Sequence, residues 1–493
     1  MNKNLRIIFT SDIHGYFFNT DYMDREIKPQ GLLHLATRYN KDDETLIIDG
    51  GDMLQGSPFT YFSKLRNSPD RIARIMNKVG YDFVTIGNHD FNYGYEYFKK
   101  YLEHLDAECV CENCLNEDGN PIYPYKIVTM KNGLKVGIVG CVTEFVNLWE
   151  NPKNLGGVSI GNIIENLKRA YEQMKDKVDI TICVYHGGFE CDIDTKKIIE
   201  TSGENVGFKI CNELNFDILL TGHQHVGIEG RYLNNTYIVQ NLFNAMSFHD
   251  IKITRNNGEN IINSEMIFAK DIPFSNEMLP FNEENEEVQD LIDDFVGELD
   301  EELLPDTHLN MAINGSKLAD FINKIQIEYT GADISSTSFA NRISGLPKKV
   351  RIRDILLTYP FSNTLVVLEI NGKNLKKVLE RSAEYFDVKD GEVIISEKFL
   401  KPKIEHYNYD YYMGVDYKIN YGGAIGNRVY DIKVKGKEVS DNDIFTICLN
   451  SYRAKGTGGY FTYNDCKVVK KYDEEMFEIL MEYIKNFHEH KNK

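Results

Sequence analysis

A chain of 493 residues exceeds the length at which one hydrophobic core keeps growing, so two or three domains are expected. Lys plus Arg is 56 against 75 for Asp plus Glu, a formal charge of -19, which leaves no electrostatic footprint for a nucleic-acid polymer. A small anion can still bind where metal cations set the local charge. No apolar run approaches the roughly 20 residues that span a bilayer, and Met1 to Arg6 carries no basic segment followed by an apolar stretch and a cleavage site. No membrane partner is expected, and a cytoplasmic setting is, unless a leader was removed; nothing in the chain specifies an oligomeric state.

Six short apolar runs rich in Ile and Val read as buried strands. Leu5 to Thr10 is followed by Asp12 and His14, Thr45 to Ile48 by Asp52, and Phe83 to Ile86 by Asn88 and His89. Ile180 to Val184 is followed by His186, and Ile218 to Thr221 by His223 and His225, whereas Val136 to Val139 ends in Gly140 without a ligand. Helix-compatible stretches, Asp70 to Val79 and Ile163 to Asp176, alternate with the strands, which argues for a layered α/β domain with covered sheets. The polar residues are then expected along one rim of a sheet. Tyr237 to Gln240 and Phe248 to Thr254, followed by Asn256-Asn257-Gly258, look like strands closing a sheet with a turn.

Nine cysteines form an odd set without framework spacing, which suits reduced, buried thiols in a reducing compartment. Cys109-Val-Cys111-Glu-Asn-Cys114 has zinc-like spacing, but no second pair accompanies it, so a structural use is expected.

Between Asn282 and Leu304 the chain is strongly acidic, with Val288, Leu291, Ile292, Phe295 and Leu299 at helical intervals, and Pro305 follows. This predicts one amphipathic helix stopped by proline, a connector and hinge over residues 282–310 between domains 1–281 and 311–493. The second domain shows helices at Ser316 to Thr330 and Lys373 to Tyr385 and strands at Thr364 to Ile370, Val429 to Val434 and Ile444 to Leu449. It is crowded with tyrosine, and His406 to Gly414 alternates polar and aromatic residues, which reads as part of a surface or pocket wall.

The strand ends carry the chemistry. In an extended segment residues two apart point to one side, so Asp12 and His14 can reach one cation, and His223 and His225 repeat the spacing. Asp52 offers two carboxylate oxygens that can bridge a pair of metals, while Asn88 and His186 add an amide oxygen and an imidazole. This mixed nitrogen and oxygen set fits two divalent ions such as Mn, Zn or Fe. Two such ions roughly 3.5 to 4 Å apart would polarise a phosphoryl group and activate a bridging hydroxide for in-line attack. One Asp or His alone is ordinarily a cap or a satisfied structural residue; five endings of the same chemistry outweigh that explanation.

Asp12-Ile13-His14, Gly51-Asp52, Gly87-Asn88-His89-Asp90, His186-Gly187-Gly188 and Gly222-His223-Gln224-His225 closely resemble the calcineurin-like metallophosphoesterase signature, in order, over the whole first domain. The resemblance implies an α/β four-layer sandwich, helices flanking two mixed β-sheets, followed by a smaller α+β domain. It implies one metal on Asp12, His14, Asp52 and His225 and another on Asp52, Asn88, His186 and His223, with Asp52 as bridge. His89 would ligate neither metal and would donate to the phosphate and leaving oxygen, a role typically worth roughly 10² to 10⁴ in rate. In many nucleotidase relatives a carboxylate three residues beyond that histidine orients it. Here the position is Asn92, an amide that accepts a hydrogen bond but carries no charge.

The likeness extends to the 5'-nucleotidase and 2',3'-cyclic phosphodiesterase family through Asp52-Met53-Leu54-Gln55-Gly56-Ser57-Pro58, Tyr359-Pro360-Phe361-Ser362-Asn363-Thr364-Leu365, Tyr407-Asn408-Tyr409-Asp410, Gly414-Val415-Asp416-Tyr417 and Asn450-Ser451-Tyr452-Arg453-Ala454. The Tyr407 to Tyr417 and Asn450 to Ala454 segments are closer to the branch acting on 2',3'-cyclic nucleotides and 3'-nucleotides. Two aromatic rings that sandwich the base would fall on Tyr409, with Tyr407 as the alternative, and on Tyr452. Asn363 and Arg342 would line the substrate pocket. Gly456-Thr457-Gly458-Gly459 lacks the Asp that 5'-nucleotidases often carry there. The implied activity is hydrolysis of 2',3'-cyclic nucleotides and 3'- or 5'-nucleoside monophosphates, the substrate being held by the second domain. The alternatives are a metallophosphatase for another phosphorylated or sugar-nucleotide metabolite, and a non-catalytic nucleotide-binding protein.

Overall fold

The computed structural model describes residues 3–274, 282–361, 363–401 and 403–490, so Ser362 of the segment quoted above lies outside the described residues. The chain divides into two compact units, residues 1–289 and 290–493.

The strands of the two large sheets of the first unit are, in chain order, β1 (Lys3–Thr10), β2 (Thr45–Asp49), β3 (Phe83–Val84), β4 (Glu108–Cys109), β5 (Lys126–Thr129), β6 (Lys135–Val142), β7 (Ile180–His186), β8 (Ile218–Thr221), β9 (Ile228–Leu233), β10 (Thr236–Gln240), β11 (Ser247–Asn256) and β12 (Glu259–Phe268). One sheet has the order β12-β11-β1-β2-β3-β4 and the other β9-β10-β8-β7-β6-β5. The expected single rim is therefore built by two sheets, and the strands at Tyr237 and Phe248 belong to different ones. The turn at Asn256 does close a hairpin, β11 to β12, with Asn257 at φ 51° and Gly258 at φ 93°, the two left-handed positions such a turn requires.

Alternation along the strands explains why these runs are apolar on both faces. Leu5, Ile7 and Phe9 of β1 join Leu46 and Ile48 of β2, Val136 and Ile138 of β6, and Ile180, Ile182 and Val184 of β7 in one core. The residues between them on the second sheet, Val139, Cys141, Cys183 and Tyr185, pack instead with Ile163, Leu167, Ala170 and Met174 of helix α1 (Ile163–Met174). Burying both faces is what a sheet covered by helices demands.

Within each sheet the central strands are parallel: β1, β2 and β3 in one, β6, β7 and β8 in the other. Their carboxyl ends therefore fall together, the usual place for a ligand site in α/β sheets. The sixth apolar run departs from expectation, because β6 passes through Gly140 to Val142. Glycine is required there by a close approach: a Cβ would stand 1.9 Å from the Val110 carbonyl oxygen.

The acidic segment is not one helix. Helix α2 (Asn282–Ile292) ends early, and Phe295–Glu298 forms strand β13, paired with β14 (Lys349–Arg351). Glu284, Glu286 and Glu287 of α2 pair with Arg74, Arg25 and with both Arg66 and Arg71 of the first unit, while Asp293 after it pairs with Arg351 and Arg353 of the second. Strand pairing overrides the helical spacing: Phe295, expected on the apolar stripe, is exposed, and a Cβ on Gly297 would meet the Ile484 carbonyl oxygen at 2.3 Å.

The second unit carries a mixed five-stranded sheet. Its strands are β15 (Ile334–Thr337), β16 (Thr364–Asn371), β17 (Tyr411–Met413), β18 (Ile444–Asn450) and β19 (Lys467–Glu475), in the order β17-β15-β18-β16-β19. Helix α3 (Lys317–Thr330) is capped by Ser316 at its start and by Gly331 at φ 74° at its end, and α4 (Gly372–Ala383) is capped by Asn371. Leu375, Val378 and Leu379 of α4 pack on Val366, Leu368 and Ile370 of β16.

All nine cysteines are free thiols, and seven of them are buried. Among the described residues, the clusters with metal-ligand geometry do not include Cys109, Cys111 and Cys114, and no helix is long and apolar enough to cross a membrane.

Candidate metal centre

Asp12, His14, Asp52, His223 and His225 all stand on left-handed backbone, with φ between 51° and 70°. Asp12 and His14 thus reach one side through a strained turn and not through strand alternation. A non-glycine residue in this region costs about 1–3 kcal/mol and persists only where surrounding contacts dictate it. Two of those contacts join main chain to main chain, Asp12 N donating to Gly51 O (3.0 Å) and His14 N to Asp52 O (2.9 Å), and a third runs from His223 N to the Asp12 carboxylate, at Oδ1 (3.0 Å). Asp90 adds a staple, its carboxylate accepting from the backbone N–H groups of Gly87, Asp52, Met53 and Leu54 at 2.8 to 3.0 Å. Gly87 has to be glycine, since a Cβ would lie 2.1 Å from Asp52 Oδ1.

Two donor sets result. In the first, His14 gives its Nδ1 side to Gln55 O (2.9 Å), which turns Nε2 toward His225 Nε2 (3.1 Å), and His225 Nε2 lies 3.4 Å from Asp12 Oδ1. In the second, His186 gives its Nδ1 side to Gly50 O (2.7 Å), and its Nε2 faces both Asn88 Oδ1 and Asp52 Oδ2 at 3.2 Å. His223 Nδ1 lies 2.8 Å from the same Asn88 oxygen.

Asp52 stands between the sets. It is 1% exposed, and its Oδ2 is buried without a hydrogen-bond partner, 3.2 Å from His186 Nε2 and 3.9 Å from His14 Nε2. An orphaned carboxylate oxygen costs several kcal/mol in a dry interior unless a cation reaches it. With Nδ1 of His186 protonated toward Gly50, the atoms around Asp52 Oδ2 are all lone-pair donors, so the residues present fit divalent metal. The electrostatics agree: burial opposes the imidazolium of His186, yet the adjacent Asp52 carboxylate pushes its pKa up to about 10. Asp52 itself is held well below the ordinary carboxyl range, burial being outweighed by the imidazoles of His186 and His89.

His89 belongs to neither set. Its backbone N–H donates to Asp52 Oδ1 (2.7 Å), and its ring Nδ1 meets Asn92 Oδ1 at 2.8 Å. Four residues escaped the sequence reading. Glu204 Oε1 accepts from His223 Nε2 (2.8 Å), which leaves Nδ1 for the centre; Trp149 stacks on the His223 ring (5.5 Å, 23°) and Phe243 on the His225 ring (4.7 Å, 15°). Glu150 accepts from Asn92 Nδ2 (2.8 Å). Trp149 and Glu150 follow β6, so the strand end without a ligand supplies the support of one ligand, His223, and of Asn92 behind His89. Trp149 is the single Trp of the chain, but no spacing ties it to a histidine.

In the second unit, the residues expected to hold substrate divide. Tyr409 is 5% exposed, its ring packed against Tyr385 (4.9 Å), Phe386 and Tyr411 and its hydroxyl donating to Ala312 O, so neither face is open for stacking. Tyr407 and Tyr452 are partly exposed. Both hang on Arg453, 1% exposed, which pairs with the buried Asp410 (2.9 Å) and donates to Tyr407 O (2.8 Å) and Thr457 O (2.7 Å). Thr457 in turn donates to Tyr452 O (2.5 Å). Gly458 lies against this guanidinium: a Cβ there would meet Arg453 Nη1 at 2.3 Å. Asn363 is partly buried, its carbonyl accepting from Met476 N (2.8 Å), and Arg342 is exposed.

Residues 5–227 match the family model of calcineurin-like phosphoesterases, and residues 296–465 that of the 5'-nucleotidase C-terminal domain. A Staphylococcus aureus crystal structure, provisionally described as a 5'-nucleotidase in complex with alpha-ketoglutarate, superposes with a TM-score of 0.91 at 32% identity, covering 98% of this chain and 97% of that one. The chain belongs to the 5'-nucleotidase family of calcineurin-like metallophosphoesterases.

Members of this family are metal-dependent nucleotide phosphoesterases. The trifunctional nucleotide phosphoesterase YfkN of Bacillus subtilis is 24% identical over 98% of this chain, which spans only 38% of that protein's length. The 2',3'-cyclic-nucleotide 2'-phosphodiesterase/3'-nucleotidase of Yersinia enterocolitica is 22% identical over 98% of this chain and 85% of its own. The Thermus thermophilus 5'-nucleotidase precursor, at 19% identity and a TM-score of 0.69, shares the fold.

Proposed function

We propose that this chain is a dinuclear-metal phosphohydrolase cleaving nucleotide phosphoesters, 2',3'-cyclic nucleotides and 3'- or 5'-nucleoside monophosphates. The observation that carries the proposal is the buried Asp52 Oδ2, which accepts no hydrogen bond and stands between two donor sets, 3.2 Å from His186 Nε2 and 3.9 Å from His14 Nε2. Asp12, His14, Asp52 and His225 would hold one ion, and Asp52, Asn88, His186 and His223 the other. When bound, such ions supply Lewis acidity toward phosphoryl oxygens and activate water. His89, outside both sets, is the hydrogen-bond donor to the phosphate and the leaving oxygen. Tyr407 and Tyr452, which are partly exposed, would stack on the base, a use that tolerates any base because each has a π face. Tyr409 is then a structural residue of that wall. Asn363 and Arg342 are assigned to substrate contact through the family likeness alone. The nine free thiols support a reducing, cytoplasmic setting.

The test combines metal analysis with a substrate panel of 2',3'-cyclic AMP, 3'-AMP, 5'-AMP and an aryl phosphate. Two equivalents of metal per chain and turnover of nucleotides are expected, with Asp52→Asn losing both turnover and about one equivalent. Cleavage of the aryl phosphate alone would overturn the nucleotide assignment, and one equivalent in the wild type the dinuclear one.

A further inference from the structure

Behind His89 runs a chain of hydrogen bonds in which each partner fixes the next. His89 Nδ1 lies 2.8 Å from Asn92 Oδ1, and Asn92 Nδ2 lies 2.8 Å from Glu150 Oε2. Glu150, 8% exposed, also accepts from Asn151 N (2.7 Å) and Asn154 Nδ2 (2.9 Å), and Asn154 Nδ2 reaches back to Asn92 O (3.2 Å). An ionised carboxylate can only accept. Glu150 therefore demands the amide NH₂ of Asn92, which leaves Oδ1 facing the imidazole, and an oxygen there demands a proton on Nδ1. Without Glu150 the Asn92 amide could present either end, and His89 either tautomer.

We infer that Glu150 is the positioning residue for His89, acting through Asn92: it commits the Nδ1 proton of His89 to the amide, so that any proton or hydrogen bond given to the leaving oxygen comes from Nε2. Here the carboxylate stands one amide away from the histidine, on the loop after β6. The hydrogen bond of His89 to the metal ligands is made by its backbone N–H, to Asp52 Oδ1; its ring packs edge-on against the His14 ring (5.4 Å), and the hydrogen bond to Nδ1 is made by Asn92. The inference rests on the proposed role of His89 as donor to the leaving group.

Glu150→Gln keeps shape and hydrogen-bonding capacity but no longer dictates which end of Asn92 faces the ring. Expected is a fall in kcat of about tenfold for a nucleoside monophosphate with an alkoxide leaving group, part of the roughly 10² to 10⁴ a positioned donor supplies. KM, metal content and the melting temperature should be unchanged, and the rate on an aryl phosphate, whose leaving group needs little help, should move less than about twofold. Ring nitrogen shifts of ¹⁵N-histidine protein, with His89→Ala identifying the signal, should show a fixed Nδ1–H in the wild type and a tautomer mixture in the variant. In Asn92→Asp/Glu150→Gln the carboxylate returns to the imidazole, the new side-chain amide at position 150 can donate to it, and activity should recover to within about threefold of the wild type. That double variant also carries the test should Glu150→Gln fail to fold. Equal loss on both esters, an unchanged Nδ1–H signal, or no recovery in the double variant would overturn the inference. If His89→Ala loses leaving-group selectivity while Glu150→Gln keeps it, the positioning role alone falls; if His89→Ala keeps it, the donor role falls and takes the positioning role with it.

Discussion

In the first unit the candidate ligands stand at the ends of parallel strands, five of the seven on left-handed backbone, held by many separate hydrogen bonds from main-chain N–H groups. In the second, the loops carrying Tyr407 and Tyr452 converge on one buried guanidinium, that of Arg453, which Asp410 neutralises. Each arrangement holds side chains still, but the support is shared in one and concentrated in the other. A metal site needs many donors placed at once, and strand ends deliver them; a stacking wall needs only two ring planes, and one planar fork with five donors can set both. The two regions should therefore fail differently.

Concentrated support predicts the largest effect. Arg453→Met leaves Asp410 buried without its partner, a change that costs about 3–5 kcal/mol in comparable pairs. The second unit should melt earlier in calorimetry, nucleotide KM should rise steeply, and the metal content of the first unit should stay at the wild-type level. Loss of metal together with the second unit would show that the two supports are not separable. The double change Arg453→Met/Asp410→Leu should recover part of the stability and none of the nucleotide affinity.

Within the tyrosine wall, burial separates residues that sequence likeness could not. Tyr407→Ala or Tyr452→Ala should cost about 1–3 kcal/mol of binding, seen as a KM increase on nucleotides and no change on an aryl phosphate. Tyr409→Ala should instead destabilise the unit, since its ring is packed on Tyr385, Phe386 and Tyr411. A KM effect at Tyr409 with unchanged stability would reverse the assignment.

Shared support predicts graded losses. Glu204 fixes His223 with Nε2 outward and Nδ1 toward Asn88, and removing such an outer partner typically lowers metal affinity about 10- to 100-fold. Glu204→Gln, titrated with Mn or Zn by calorimetry, should weaken one of two binding steps and leave the other. Weakening of both, or of neither, would break the division into two donor sets.

How much of this was readable from the chain follows the same contrast. Strand ends announce themselves, because an apolar run followed by Asp or His is a local pattern, and the five endings indeed converge in one place. What the pattern misses is what joins elements far apart in sequence. Glu204 and Glu150 sit in loops with no periodicity, and their partners are 19 and 58 residues away. The helical spacing from Asn282 to Leu304 misled for a related reason: Phe295–Glu298 has a pairing partner at Lys349–Arg351 that no local window contains. Tyrosine density points to a region, yet which of its rings are open depends on packing around Tyr385 and Arg453.

A dependence on pH sharpens the comparison inside the rim itself. Asp49 ends β2 and Asp52 follows three residues later, yet the two acids are opposites. Burial pushes the Asp49 carboxyl up to about 8 against the opposing hydrogen bonds donated by Thr10 Oγ1 (2.7 Å) and Gly51 N (2.9 Å), whereas the imidazoles hold Asp52 well below the ordinary carboxyl range. Between the unfolded value of about 4 and the folded value of about 8, the folded protein holds a proton on Asp49 that the unfolded chain has released. Its contribution is therefore fully present below that window and is lost as pH rises through it, at up to about 1.4 kcal/mol per pH unit. Asp49→Asn keeps a neutral group of the same shape and should flatten the decline. Urea midpoints of both proteins at about pH 6, 7 and 8, at fixed metal concentration, measure the difference; parallel slopes would mean that Asp49 is ionised beside Asp52 and that the rim carries one more negative charge for its cations to balance.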